Sequence, residues 1–83
     1  MASLAAISEA LQKGKADEVK NLVNQALAEK VDVKKVLEEG LIAGMDVIGG
    51  RFKRNEIYIP EVLIAARAMS AGMSILEPIL VKS

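Results

Sequence analysis

The 83-residue chain contains no histidine, no cysteine and no tryptophan. Without histidine or cysteine there is no Ser–His or Cys–His nucleophilic pair, no soft-metal site of the usual kind and no disulfide framework. A chain without cysteine also suits the cytoplasm. Aromatic residues are nearly missing, Phe52 and Tyr58 being the only two. Charge of one sign is missing as well: 11 basic residues are interspersed with 11 acidic ones, so the basic footprint that nucleic acid requires is absent. No uninterrupted apolar run approaches the about 18 residues of a membrane span, and no basic region precedes the first apolar residues. Carboxylates are plentiful, but Glu38-Glu39 and Asp17-Glu18 are sequence neighbours and point to different sides of a helix, as on a solvated face. Asp46 and Glu61 are the only acids that flank the central stretch. A phosphate loop is unsupported, because Gly49-Gly50 follows a helical pattern and no Gly-Lys-Ser/Thr occurs. These absences describe a soluble, cytoplasmic domain with no catalytic residues of its own, no nucleic-acid partner and no membrane.

Among what is present, Ala, Leu, Val and Ile supply most of the 52% hydrophobic content, which suits tightly packed helices. A chain of this length is one small domain, stable by only about 3–5 kcal/mol. The spacing predicts an all-α, four-helix bundle with helices over 3–13, 17–30, 33–53 and 60–77. Leu4, Ile7 and Leu11 mark the first, stopped by Gly14. Val19, Leu22, Val23, Ala26 and Leu27 mark the second, with Asp17 and Glu18 in its first turn. Asp32 is a suitable N-cap for the third, whose apolar positions are Val33, Val36, Leu37, Leu41, Met45, Ile48 and Phe52.

The third helix carries Gly40, Gly44, Gly49 and Gly50, each costing a helix interior roughly 1 kcal/mol against alanine. Gly40 and Gly44, four apart, predict close approach of a neighbouring backbone, with the alanine-rich fourth helix as the expected neighbour. Gly49 and Gly50 leave a kink or early fraying open as the alternative. Asn55 can adopt a left-handed conformation and suits a turn; Pro60 fits the first position of a helix. The fourth helix then presents Val62, Leu63, Ala66, Met69, Met73 and Leu76 as its apolar stripe, with Ala65, Ala68 and Ala71 keeping it narrow. Pro78 ends it or bends its last turn. Residues 1–78 form the domain, and 79–83 read as the start of a linker.

Phe52, Ile59, Val62 and Leu63 cluster about the turn. On periodicity alone they are core residues or a helix staple. The stretch GLIAGMDVIGGRFKRNEIYIPEVLIAARAMSAGM, from Gly40 to Met73, resembles the small helical cap module that precedes the cobalamin-binding domain in methyltransferase corrinoid proteins and in cobalamin-dependent methionine synthase; Leu76-Glu77-Pro78 adds support. In that family the matching side chains lie over the methyl-bearing face of the corrin, and here they are Phe52, Ile59 beside Pro60, Val62 and Leu63. Asn55 stands where the family commonly has glycine, and Ile59 replaces a more frequent leucine or valine.

The resemblance implies a non-catalytic cap that covers protein-bound cobalamin and moves aside for donor and acceptor methyltransferases. The methyl donor could be a methylamine, methanol, a methoxylated aromatic or a methylated folate. The family's cobalt-ligating histidine belongs to a following α/β domain with an Asp-x-His-x-x-Gly motif, absent from this sequence. The chain alone is therefore expected to hold cobalamin weakly or not at all, and to have that α/β domain as a partner. The contrasting expectation is a free-standing helical interaction or dimerisation module, without cofactor, that self-associates through its apolar turn and C-terminal tail.

Overall fold

The computed structural model describes residues 3–82, in four helices. Met1, Ala2 and Ser83, the ends of the expected domain and linker, lie outside the described residues. Helix α1 is Leu4–Gln12, begun by Ser3, whose hydroxyl accepts from the Ala6 N–H. Helix α2 is Ala16–Ala28. Helix α3, residues 33–53, is continuous but of mixed pitch: Val33–Lys35 is α-helical, Val36–Ile42 is a π-helix and Ala43–Lys53 is α-helical again. Asp32 caps it as expected, its carboxylate accepting from the Lys34 N–H at 2.9 Å. Helix α4 is Ile59–Lys82.

The first three helices end on the same device. The residue after each C-cap has positive φ: Gly14 at 72°, Lys30 at 64° and Asn55 at 62°. Its N–H and that of the next residue bond back to the last turn. Gly14 donates to the Leu11 carbonyl and Lys15 to Ala10, and the same pair of bonds recurs from Lys30 and Val31 and from Asn55 and Glu56. This is the Schellman arrangement, which satisfies carbonyls that a helix end leaves orphaned. Gly14 and Asn55 carry out the expected turns; Lys30 does so with a Cβ in an unfavourable region.

The core joins Ile7, Ala10 and Leu11 of α1, Val19, Val23 and Ala26 of α2, Val36, Leu41 and Ile48 of α3, Ala65, Ala68 and Leu76 of α4, and Ile57 from the last turn. Val36 and Leu41 are five apart and both fully buried. That spacing shares a face only where hydrogen bonds run i to i+5, so the π segment carries both into the core. The π turn also corrects the expected neighbour of Gly40 and Gly44. A Cβ on Gly40 would lie 3.0 Å from Ile7 Cγ2, and one on Gly44 3.0 Å from the Ser8 carbonyl oxygen. The close neighbour of that pair is therefore α1 rather than the alanine-rich α4. Gly49 has nothing within 4 Å of its would-be Cβ, and the helix passes through Gly49 and Gly50 to Lys53 without fraying.

Helix α4 departs from its expected stripe. Its buried residues are Ala65, Ala68, Gly72 and Leu76; Val62, Met69 and Met73 are half-buried, and Leu63 is exposed. The small residues form the contact face because α4 packs mainly on α2, and a Cβ on Gly72 would lie only 2.8 Å from Leu41 Cδ2 and 3.1 Å from Val19 Cγ1. Pro78 does not end the helix, which runs on to Lys82, so the expected boundary at 77 is too early. Leu76 and Leu80 on either side of Pro78 both pack on the core, and that burial outweighs the missing hydrogen bond. By length and hydropathy, Ile59–Val81 is apolar enough to cross a membrane, which the uninterrupted-run criterion missed. Glu61, Arg67 and Glu77 break the run, and one face of the helix builds the bundle core.

Candidate functional site

The end of the bundle where α3 turns into α4 carries side chains that the core does not use. Phe52, on the last turn of α3, is 45% exposed; Tyr58 is 71%, Ile59 61% and Leu63 64% exposed. Val62 is half-buried and packs against the core. The turn thus separates four residues expected to act together: Val62 ties the surface to the bundle, while Phe52, Ile59 and Leu63 face solvent. Ile59 and Leu63 share one face of α4 by their spacing.

Local chemistry shapes this turn. Ile57, which the sequence reading did not single out, is buried and anchors the segment. Its only sequence signal is its place in the Ile57-Tyr58-Ile59 run, between the left-handed Asn55 and Pro60. Tyr58 is the N-cap of α4: its N–H donates to the Glu61 carboxylate, and its carbonyl accepts from the N–H groups of Glu61 at 3.0 Å and Val62 at 3.3 Å. The Glu61 contact is the returning half of a capping box. Pro60 therefore occupies the second helical position rather than the expected first, where its missing N–H still has no intrahelical acceptor to lose. Of the two acids singled out by position, Glu61 serves as this cap and Asp46 is exposed on α3.

A charged clasp spans the outside of the turn. Arg54 Nε donates to Glu56 Oε2 at 2.7 Å, and Arg51 Nε lies 3.6 Å from Glu56 Oε1. The hydrogen bond from Arg54 holds the Glu56 carboxyl below its usual range, with the charges of Arg54 and Arg51 adding to it; the same contact raises Arg54. Gly50 is part of the arrangement, since a Cβ there would stand 3.3 Å from Arg54 Nη1.

Among the described residues no polar or charged side chain is buried, and no cluster of three His, Cys, Asp or Glu residues could hold a metal ion. The site offers exposed apolar surface beside a charged clasp.

Comparison with known proteins gives the family of the chain. The family model described as the B12 binding domain matches residues 3–77. A corrinoid protein of Desulfitobacterium hafniense (strain Y51) is 34% identical over 82 residues, 99% of this chain and 38% of that protein. The dimethylamine corrinoid protein of Methanosarcina barkeri is 35% identical over 74 residues, 89% of this chain and 34% of that protein. Among solved structures, the monomethylamine corrinoid protein of Methanosarcina barkeri matches with a TM-score of 0.85 at 30% identity, over 89% of this chain and 35% of that one. This chain thus spans little more than a third of the length of these relatives. With an all-α bundle, a family match across nearly all of its length and a solved corrinoid protein of the same fold, the chain belongs to the B12 binding domain family, as the helical cap domain of a corrinoid protein.

Proposed function

We propose that this domain covers the methyl-bearing face of cobalamin held by the remainder of a corrinoid protein, and moves aside for donor and acceptor methyltransferases. The observation that carries the reading is the exposed apolar surface of Phe52, Ile59 and Leu63, backed by Val62, gathered where α3 turns into α4. The residues present fit this role and no other toward the cofactor. They provide carbon surface suited to the face of a large ring, and no histidine or thiolate that could bind cobalt. Attachment of the cofactor therefore falls to a partner, the α/β domain that the resemblance implies.

When bound, cobalamin supplies the chemistry, carrying a methyl group on its cobalt. The cap's contribution is shielding: Phe52, Ile59, Val62 and Leu63 exclude water and oxidants from the reactive face and place no competing ligand near it. Because the methyl group must be reached from outside, the cover has to be displaced. A bundle with its own core can be displaced as a unit without unfolding. The relatives named for dimethylamine and monomethylamine favour a methylamine as donor over methanol, a methoxylated aromatic or a methylated folate. On the same reading the domain works in the cytoplasm.

The test uses the Desulfitobacterium hafniense relative with its matching segment replaced by this chain, loaded with methylcobalamin. Phe52→Ala is expected to speed loss of the methyl group under light several-fold, and to leave the helical circular dichroism unchanged. An unchanged rate in a correctly folded variant would sink the cover reading. Self-association of the chain through the same exposed surface would then become the better account.

A further inference from the structure

The four cover residues come from two helices, and something must hold Phe52 at the end of α3 in register with Ile59 at the start of α4. The covalent path between them is six residues long and includes a left-handed residue, Asn55. Ile57 fixes the middle of this path by burial and Glu61 fixes its end by capping Tyr58. The start of the path, Arg54 to Glu56, is exposed and has no apolar anchor.

There the charged groups converge. Glu56 is the residue that follows the left-handed position, and its backbone N–H donates to the Arg51 carbonyl at 2.9 Å. Its side chain meets both Arg54 at 2.7 Å and Arg51 at 3.6 Å. Arg51 lies one residue before Phe52, so backbone and side chain of Glu56 both return to the turn of α3 that carries the cover's aromatic ring. Gly50 completes the fit. Its lack of a side chain leaves room for the Arg54 guanidinium, whose Nη1 a Cβ would approach to 3.3 Å. That gives Gly50 a return that Gly49, with open space around it, lacks.

We infer that Glu56, clasped by Arg51 and Arg54 over Gly50, is a positioning residue that locks Phe52 and Ile59 into one rigid surface, so that the cover opens and closes as a unit. The inference rests on the cover reading for its purpose, but the rigidity it describes is a property of this chain alone. Exposed ion pairs add little to global stability. The clasp therefore acts on local order, and that distinguishes it from a structural contact.

Amide hydrogen exchange on the 83-residue chain reads the effect directly. Glu56→Gln is expected to speed exchange at the hydrogen-bonded amides of Asn55, Glu56 and Tyr58 about three- to fivefold, with the denaturation midpoint and the core amides of Leu11, Val23 and Ile48 unchanged. Arg54→Ala is expected to act in the same direction but less, since Arg51 still faces Glu56, and the Arg54→Ala/Glu56→Gln double variant to be no faster than Glu56→Gln alone, which already removes the contact that Arg54→Ala removes. Unchanged local exchange in Glu56→Gln, or additive effects in the double variant, would overturn the inference. In the methylcobalamin-loaded chimera, Glu56→Gln is expected to speed methyl loss less than Phe52→Ala does. If Phe52→Ala speeds it and Glu56→Gln loosens the turn but leaves the rate alone, positioning fails and the cover stands. If Glu56→Gln loosens the turn and Phe52→Ala has no effect, the cover fails while the clasp remains.

Discussion

Three helices of this chain end on a left-handed residue, and its identity differs each time. At Gly14 the choice is forced twice over, by a φ of 72° and by Ile64 Cγ2 only 1.9 Å from where a Cβ would stand. At Lys30 the same geometry carries a full side chain in the open, exposed at the end of α2. A left-handed non-glycine residue costs roughly 1–2 kcal/mol, so Lys30→Gly is expected to stabilise the chain by about 1 kcal/mol, allowing for the greater freedom of glycine in the unfolded chain. Urea denaturation measures this as a raised midpoint at unchanged slope. Gly14 and Asn55 were legible as turn residues, because their types favour this conformation. Lys30 was not, because only the fold demands it there. Glu56 gives a prediction in pH. Hydrogen bonding from Arg54, opposed by desolvation and assisted by the charges of Arg54 and Arg51, lowers its carboxyl below the usual value. A group whose folded pKa is depressed contributes stability above its unfolded pKa and loses it as pH falls through the folded one. The clasp is therefore intact at neutral pH and is expected to open in acid, below the range where an unpaired glutamate protonates. A carbon-13 titration of Glu56 should show a midpoint below the ordinary value of a glutamate side chain, rising toward it in Arg54→Ala and at high salt.

At the scale of the helix, the four glycines of α3 divide into those the packing needs and those it does not. Gly49→Ala meets open space and removes backbone freedom from a helix, so it is expected to stabilise by about 0.5–1 kcal/mol. Gly44→Ala places a methyl 3.0 Å from the Ser8 carbonyl oxygen and 3.1 Å from Leu11 Cδ2. Backbone on one side and a buried leucine on the other cannot both retreat, and a loss of roughly 1–3 kcal/mol is expected. Paired thermal melts give opposite signs if the packing is as described; a gain at Gly44 would show that α1 is not its close neighbour. The sequence signalled that Gly40 and Gly44 touch something, since interior glycines are costly, but it named the wrong helix. The π turn at Val36–Ile42 shifts the facing of everything near it, and a reading at constant 3.6 residues per turn has no term for that shift. The fourth helix failed for a related reason. Leucine and methionine outrank alanine in any hydrophobic pattern, yet the buried face of the helix is made by Ala65, Ala68 and Gly72 beside Leu76, where less side chain allows nearer neighbours.

Across the whole molecule, the apolar residues divide into a core that holds the bundle together and a cover that does not, and periodicity alone cannot separate them. Phe52 continues the apolar stripe of α3 as regularly as Ile48 does, yet Ile48 is buried and Phe52 is half in water. The all-α architecture and the stretch that forms the turn were legible, because caps, prolines and helical spacing are local signals. The exposure of Phe52, Ile59 and Leu63 was not, because it depends on where α1 and α2 stop covering the other two helices. The division predicts how the two sets respond to truncation. Leu41 is fully buried against Gly72, and Leu41→Ala is expected to cost roughly 2–5 kcal/mol. That is comparable with the whole stability of a domain this small, about 3–5 kcal/mol, so the variant should be largely unfolded at 37 °C. Phe52→Ala removes a side chain that already keeps much of its surface in water, and it should cost well under the about 3–5 kcal/mol of a buried phenylalanine. Leu63→Glu, on the exposed face of α4, should change stability by no more than about 0.5 kcal/mol. Chemical denaturation of the three variants separates core from cover. A loss at Phe52 as large as that at Leu41 would place the ring in the core, take from the cover the aromatic that the resemblance lays over a corrin, and shift the balance toward a bundle whose turn serves only its own packing.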